Sequence, residues 1–182
     1  MARFKYLDKE DVAPEHRAHM RDINLTRLLF HNPEMARLSN EHAMYIRNRS
    51  ELDPRLREMA IIQVGYCARS PYEYSHHVKI GMDFGVSEAD IRAIADETAG
   101  RPTGLDPLAK AVLKAARELA NEIKLSDETF AMLQQHLATP ILLELFDAIC
   151  SYCGTVRMLA ALQIDVEDEY KPYLEKFPLP QG

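Results

Sequence analysis

The sequence predicts an all-α fold, and three observations carry that expectation. Apolar residues recur at spacings of three and four, as in Met59, Ile62 and Tyr66 or in Leu108, Val112, Ala115 and Leu119, while no segment sustains period-2 alternation. Five of the 10 prolines directly follow a residue able to cap a helix: Asn32-Pro33, Asp53-Pro54, Ser70-Pro71, Asp106-Pro107 and Thr139-Pro140. In such a pair proline takes the first helical position, where its missing N–H costs nothing. Only 7 glycines interrupt the chain.

In order, these signals predict helices near 18–31, 34–49, 54–68 and 71–84, the last three opened by Asn32-Pro33, Asp53-Pro54 and Ser70-Pro71. Ser87 and Ser126, each followed by acidic residues that suit a positive helix N-terminus, open helices near 88–97 and 127–137. Asp106-Pro107 and Thr139-Pro140 open helices near 107–123 and 140–163, and a short helix is expected over 167–176. The tail Phe177-Pro178-Leu179-Pro180 reads as extended. Residues 98–104 are the one conspicuous linker, dividing the chain into two helical halves too short to stand alone, so one domain is expected over 1–182. At an offset of 80 residues, Gly81 to Glu88 lies over Ala161 to Asp168, a helix end, turn and acidic restart in both. The echo suggests two pseudo-repeated helical units, although helix-turn-helix rhythm alone imitates one.

Length and composition bound the function. A chain of 182 residues, 47% of them hydrophobic, is long enough to bury roughly two-thirds of its extended-chain surface. Its 22 Lys+Arg against 28 Asp+Glu give a net charge of −6, and no Lys/Arg run exceeds two. That balance argues against nucleic acid or an anionic membrane surface as partner. No uninterrupted apolar stretch approaches the roughly 20 residues of a spanning helix. The N-terminus runs straight into charged sequence, so a cytoplasmic location is expected. Cys67, Cys150 and Cys153 are an odd, sparse set that suits reduced thiols rather than a disulfide framework.

The densest polar segment runs from Arg69 to His77. Glu73 and His77 are four apart and share a helical face, as do Tyr72 and His76. A carboxylate beside an imidazole is a workable acid–base pair near neutral pH. Glu58 has Ile61, Ile62 and Gly65 at i+3, i+4 and i+7, so it puts a carboxylate on an otherwise apolar face, where desolvation makes it a candidate proton carrier. Plainer readings stand beside these. Ser70-Pro71-Tyr72-Glu73 has the pattern of a capping box, in which Glu73 serves only the helix end. His76 reads as a partly exposed helix residue, and Glu58 as an ion-pair partner of Arg55 or Arg57. His76 and His77 point to different sides of a helix, the other histidines are scattered, and no glycine-rich phosphate loop is present, so no metal or cofactor is expected.

Arg57 to Gly65, Tyr72-Glu73-Tyr74-Ser75-His76-His77 and Gly85 to Ile91 together resemble the carboxymuconolactone decarboxylase family, over about residues 50–95. The alkylhydroperoxidase-D-like branch of that family carries Glu, eleven residues, Cys-x-x-Cys, three residues and His. Glu58 and His77 keep this frame, but the cysteine positions fall on Ser70 and Glu73, which brings the chain nearer the decarboxylase-like branch. The resemblance implies an alkylhydroperoxidase-D-like helical bundle that assembles as a trimer or hexamer, with its site near subunit contacts.

The resulting expectation is a carboxy-lyase-like enzyme acting by general acid–base catalysis on a small carboxylated or lactone-type molecule. His77 would move the proton, Glu58 orient it, Glu73 join them, and Tyr72 donate a hydrogen bond to a developing oxyanion. Arg69, Ser70 and Cys67 would line the substrate site, with Arg69 available to a carboxylate. The alternatives are a thiol-dependent peroxide reductase using Cys150 and Cys153, and a non-catalytic assembly protein. Cys150 and Cys153 lie mid-helix, where they read as core cysteines, and only Arg157 favours a Cys153 thiolate.

Overall fold

The computed structural model describes residues 2–180; Met1, Gln181 and Gly182, at the ends of the expected 1–182 unit, lie outside the described residues. The α-helices among them are α1 (Asn24–Leu29), α2 (Pro33–Asn48), α3 (Pro54–Cys67), α4 (Pro71–Asp83), α5 (Glu88–Thr98), α6 (Pro107–Asn121), α7 (Asp127–His136), α8 (Thr139–Leu162) and α9 (Lys171–Lys176). Short 3-10 turns cover Lys9–Asp11, Pro14–His19 and Asp168–Tyr170, and the described residues contain no β-strand.

Most starts are built as the sequence predicts. Asn32, Asp53 and Asp106 accept the backbone N–H three residues on, at 3.2, 2.9 and 2.8 Å. Ser87 and Asp90 form a reciprocal capping box, and Ser126 accepts from Thr129 N. Three starts differ. Ala138 rather than Thr139 caps α8, with Thr139 already helical. Ser70 stands at the α4 cap without a side-chain cap bond. In place of one helix near 18–31 there is a 3-10 turn, a bend and the short α1, because the α1 N-terminus is capped from elsewhere in the chain. The Glu167 carboxylate accepts Asn24 N–H at 2.6 Å, and the Tyr72 hydroxyl accepts Leu25 N–H at 3.1 Å.

The core is organised around α3, in which every residue from Leu56 to Tyr66 is buried. It packs against α4, α5, α6 and α8. Buried residues from both sides of the 98–104 linker, including Ile94, Val112, Leu145 and Ile149, belong to one cluster, so the two halves share a single core. Glycine sets how closely α3 and α4 approach: a Cβ on Gly65 would stand 3.0 Å from Tyr74 N, and one on Gly81 3.0 Å from Ile62 Cδ1. The N-terminal segment has its own small cluster of Val12, Met20, Phe30 and Ala36.

Helix α8 is long and apolar enough, by length and composition alone, to cross a membrane. Here Leu142, Leu145, Ile149, Tyr152 and Val156 lie in the protein core, and Glu144 accepts hydrogen bonds from Ser50 Oγ, Glu51 N and Leu52 N. The 80-residue echo holds over the ends of α4 and α8 and the restarts at Glu88 and Asp168. Upstream it stops: the break between α3 and α4 has no counterpart in α8, which runs unbroken across 148–150.

Candidate active site

Helices α3 and α4 bring Glu58, Glu73 and His77 into one buried cluster. Exposure is 0% for Glu58, 3% for Glu73 and 4% for His77, so their charges are settled among themselves and not by water. His77 Nδ1 lies 2.8 Å from Glu58 Oε2, and Nε2 lies 3.0 Å from Glu73 Oε1. Arg57, only 1% exposed, donates from Nε to Glu58 Oε1 at 3.0 Å and lays its guanidinium over the Phe84 ring. One nitrogen of Arg57, Nη2, is buried without a partner.

The capping-box reading of Glu73 is not what forms. The Ser70 hydroxyl makes no cap bond, and Glu73 turns inward to His77 across one helical turn. Glu58 turns out to be both the carboxylate on the apolar face and the ion-pair partner of Arg57, while Arg55 pairs instead with Asp90 at 2.5 Å.

The electrostatics follow from this packing. Burial by itself would lower the His77 pKa, but the carboxylates of Glu73 and Glu58 outweigh it and raise the value to about 9. Burial would raise Glu58, yet His77 and Arg57 hold it below its ordinary value. The cluster thus sets two acidic side chains, Glu58 and Glu73, against two basic ones, His77 and Arg57. As an imidazolium His77 donates from both nitrogens. Both nitrogens are engaged by carboxylates, so neither is free for a further partner.

The remaining predicted residues are placed differently. The Tyr72 hydroxyl is engaged outside this cluster, donating to Glu167 Oε1 at 3.2 Å. His76 is buried rather than partly exposed: it lies 2.8 Å from Glu167 Oε2 and stacks between Tyr72 and Tyr170. Arg69 is exposed, with a left-handed φ of 49° in the turn before α4. Cys67, at the far end of α3, accepts from Gln63 Nε2 at 3.2 Å. It lines a separate cavity of about 260 Å³ together with Cys153 and Arg157. Cys153 is buried as expected of a core cysteine, whereas Cys150 is exposed. Burial pushes both thiols up, and for Cys153 it outweighs the opposing charge of Arg157. Among the described residues no group of three or more His, Cys, Asp or Glu side chains is placed to hold a metal ion.

Sequence reasoning missed Tyr152. Its ring meets the His77 ring edge-on, with centroids 4.8 Å apart, and its hydroxyl makes no hydrogen bond among the described residues. Burial, then Glu73, hold that hydroxyl protonated well above the ordinary phenol range. A signal existed, since Tyr152 lies 80 residues beyond Tyr72, at the offset of the echo.

Residues 33–118 match the profile of the carboxymuconolactone decarboxylase family. No curated protein matches the sequence. Among solved structures, the chain is similar to an uncharacterized peroxidase-related protein with an alkylhydroperoxidase AhpD core from Ralstonia eutropha JMP134. The TM-score is 0.80 at 14% identity, over 98% of each chain. It is also similar to the debrominase Bmp8 in complex with 2,3,4-tribromopyrrole, with TM-score 0.80 and 18% identity over 97% of this chain and 100% of that one. A peroxidase-related protein from Silicibacter sp. TM1040 follows with TM-score 0.68 and 15% identity, over 81% of this chain and 78% of that one. At these identities the likeness establishes the AhpD-core fold.

Proposed function

Because residues 33–118 match the carboxymuconolactone decarboxylase family and the fold is that of the AhpD core, we propose that the chain is a general acid–base catalyst of the decarboxylase-like kind. Its substrate is a small carboxylated or lactone-type organic molecule. The observation that carries this reading is His77 held between Glu58 and Glu73 in a buried, charge-balanced relay.

The relay divides the work. Arg57 and Glu58 fix the ring and its charge, and His77 stores the proton. Glu73 is the carboxylate that delivers or removes it at the substrate. The Tyr152 hydroxyl, protonated and unpartnered, takes the hydrogen-bonding role toward a developing oxyanion that the sequence assigned to Tyr72.

Peroxide reduction through Cys150 and Cys153 is less well supported. Attack on a peroxide needs a thiolate, and burial raises both thiols. The frame positions that hold cysteines in the peroxidatic branch carry Ser70 and Glu73.

The protein works as a homo-oligomer, with three or six copies as the resemblance implies. Ile123 (81% exposed) and Leu143 (63%), with Phe130 and Met132, leave apolar surface for another copy to cover. A monodisperse monomer in light scattering at micromolar concentration would remove that part of the reading.

The catalytic reading is tested by CO₂ release from a panel of carboxylated lactones. Glu73→Gln, Glu58→Gln and His77→Gln should each lower turnover by about 10²–10⁴, the usual loss of an acid–base group. Full activity in Glu73→Gln refutes the relay. Dithiol-dependent peroxide loss with no CO₂ release would favour the thiol reading.

A further inference from the structure

Two half-buried arginines outside the relay have no counter-charge beside them. Arg21, in the bend before α1, and Arg47, at the end of α2, each bury Nε without a hydrogen-bond partner. Neither forms an ion pair among the described residues, whereas Arg27, Arg37, Arg55, Arg57 and Arg101 do. Leaving such a donor unpaired is costly, because it has given up water for nothing. The two also stand near enough to oppose each other: after burial, the charge of Arg47 is the main influence that lowers the Arg21 pKa.

Both arginines and both relay carboxylates act on one group, the Tyr152 phenol. After burial, Glu73 and Glu58 push the Tyr152 pKa up, and the charges of Arg47 and Arg21 oppose them. Arg21 also faces the phenols of Tyr72 and Tyr170, which are neutral at physiological pH. The relay is already balanced, with Glu58 and Glu73 against His77 and Arg57. The arginines therefore add two positive charges that nothing in the relay offsets.

We propose that Arg21 and Arg47 together bind a carboxylate group of the substrate and hold the substrate body against the Tyr152 hydroxyl, within reach of the relay. Two guanidinium groups suit a planar carboxylate, since each offers a fork of parallel N–H donors. Arg21 and Arg47 thus take the role that the sequence gave to the exposed Arg69. The identification of this anion as substrate rests on the acid–base reading; the anion site itself does not.

The test is calorimetric titration with benzoate and maleate, with benzamide as the uncharged control and inorganic phosphate as a competing oxyanion. Wild-type protein should bind both carboxylates and bind benzamide at least about tenfold more weakly. Arg47→Gln and Arg21→Gln should each weaken carboxylate binding by about 10–100-fold, as expected for loss of a charge-assisted hydrogen bond. Arg47→Lys, which keeps the charge but loses the fork, should fall between. In the absence of ligand, the glutamine variants should melt at the wild-type temperature or above it, because one of two opposed half-buried charges is gone. No carboxylate binding, binding unchanged in both glutamine variants, phosphate bound in preference to carboxylates, or a glutamine variant that melts lower or fails to fold would each overturn the proposal. Glu73→Gln separates the two readings. Arginine-dependent benzoate binding with full turnover in Glu73→Gln leaves the anion site standing and removes the acid–base relay.

Discussion

Replacing His77 by glutamine should flatten the pH dependence of stability in a defined window. The His77 pKa is about 9 in the folded protein and 6.5 when unperturbed. Between those values the native state holds a proton that the unfolded chain has released, so stability falls as pH rises. The contribution is fully present below pH 6.5 and is lost as pH rises through about 9. The window spans 9 − 6.5 = 2.5 pH units. At about 1.4 kcal/mol per unit this amounts to roughly 3 kcal/mol. Urea unfolding followed by far-ultraviolet circular dichroism at pH 6, 7.5 and 9.5 would measure it, at one fixed protein concentration so that any assembly contributes equally. The raised thiols of Cys67, Cys150 and Cys153 add a slope of the same sign at the alkaline end, so the wild-type-minus-His77→Gln difference is the quantity to read. That difference should shrink by roughly 3 kcal/mol from pH 6 to 9.5. Parallel curves for the two proteins would show that His77 is not held as an imidazolium between Glu58 and Glu73, and the charge balance of the relay would fall with it.

Arg57→Met removes one of the two cations facing Glu58 and should cost on the order of 3–5 kcal/mol by urea unfolding, as breaking a buried pair does; a loss below about 1 kcal/mol would show that Arg57 is dispensable to the relay. Gly65→Ala puts a Cβ 3.0–3.1 Å from the Tyr74 backbone, which cannot yield as a side chain tip would. The overpacking penalty of about 1–3 kcal/mol should exceed the helix-propensity gain of about 1 kcal/mol, so a rise in Tm would contradict the close α3–α4 approach. Titration with a chromogenic disulfide near neutral pH should modify Cys150 in the native protein, and Cys67 and Cys153 only after denaturation. Rapid native reaction of both Cys150 and Cys153, coupled to peroxide consumption, would reverse the ranking of acid–base over thiol chemistry.

Helix starts and the relay pair were legible because both are short-range. An Asn-Pro or Asp-Pro pair caps a helix through an N–H three residues away, and Asn32, Asp53 and Asp106 do this in the structure. Glu73 and His77 meet across a single turn of α4, and Glu58 declared itself by interrupting an apolar face. The same local logic misread Ser70-x-x-Glu73. Its spacing fits a cap and an inward carboxylate equally, and the choice fell to His77 and Glu58 on the neighbouring helix.

What local pattern could not supply is everything set by distant segments. The start of α1 depends on Glu167 and Tyr72, each tens of residues away. Tyr72 is drawn off the relay by the same carboxylate, and Tyr152 reaches His77 from a helix that begins after residue 138. Arg21 and Arg47 look like any surface arginines until the fold buries their Nε atoms beside Tyr152 without a partner. The sequence by itself determined the all-α class and most helix starts, since these depend on hydrogen bonds and periodicities within a few residues, whereas the Glu58–His77 frame, which joins two helices across 19 residues, was legible only through the family resemblance. Only the tertiary structure decided which buried charges balance and which do not, because a charge's energy is set by whatever the fold places around it.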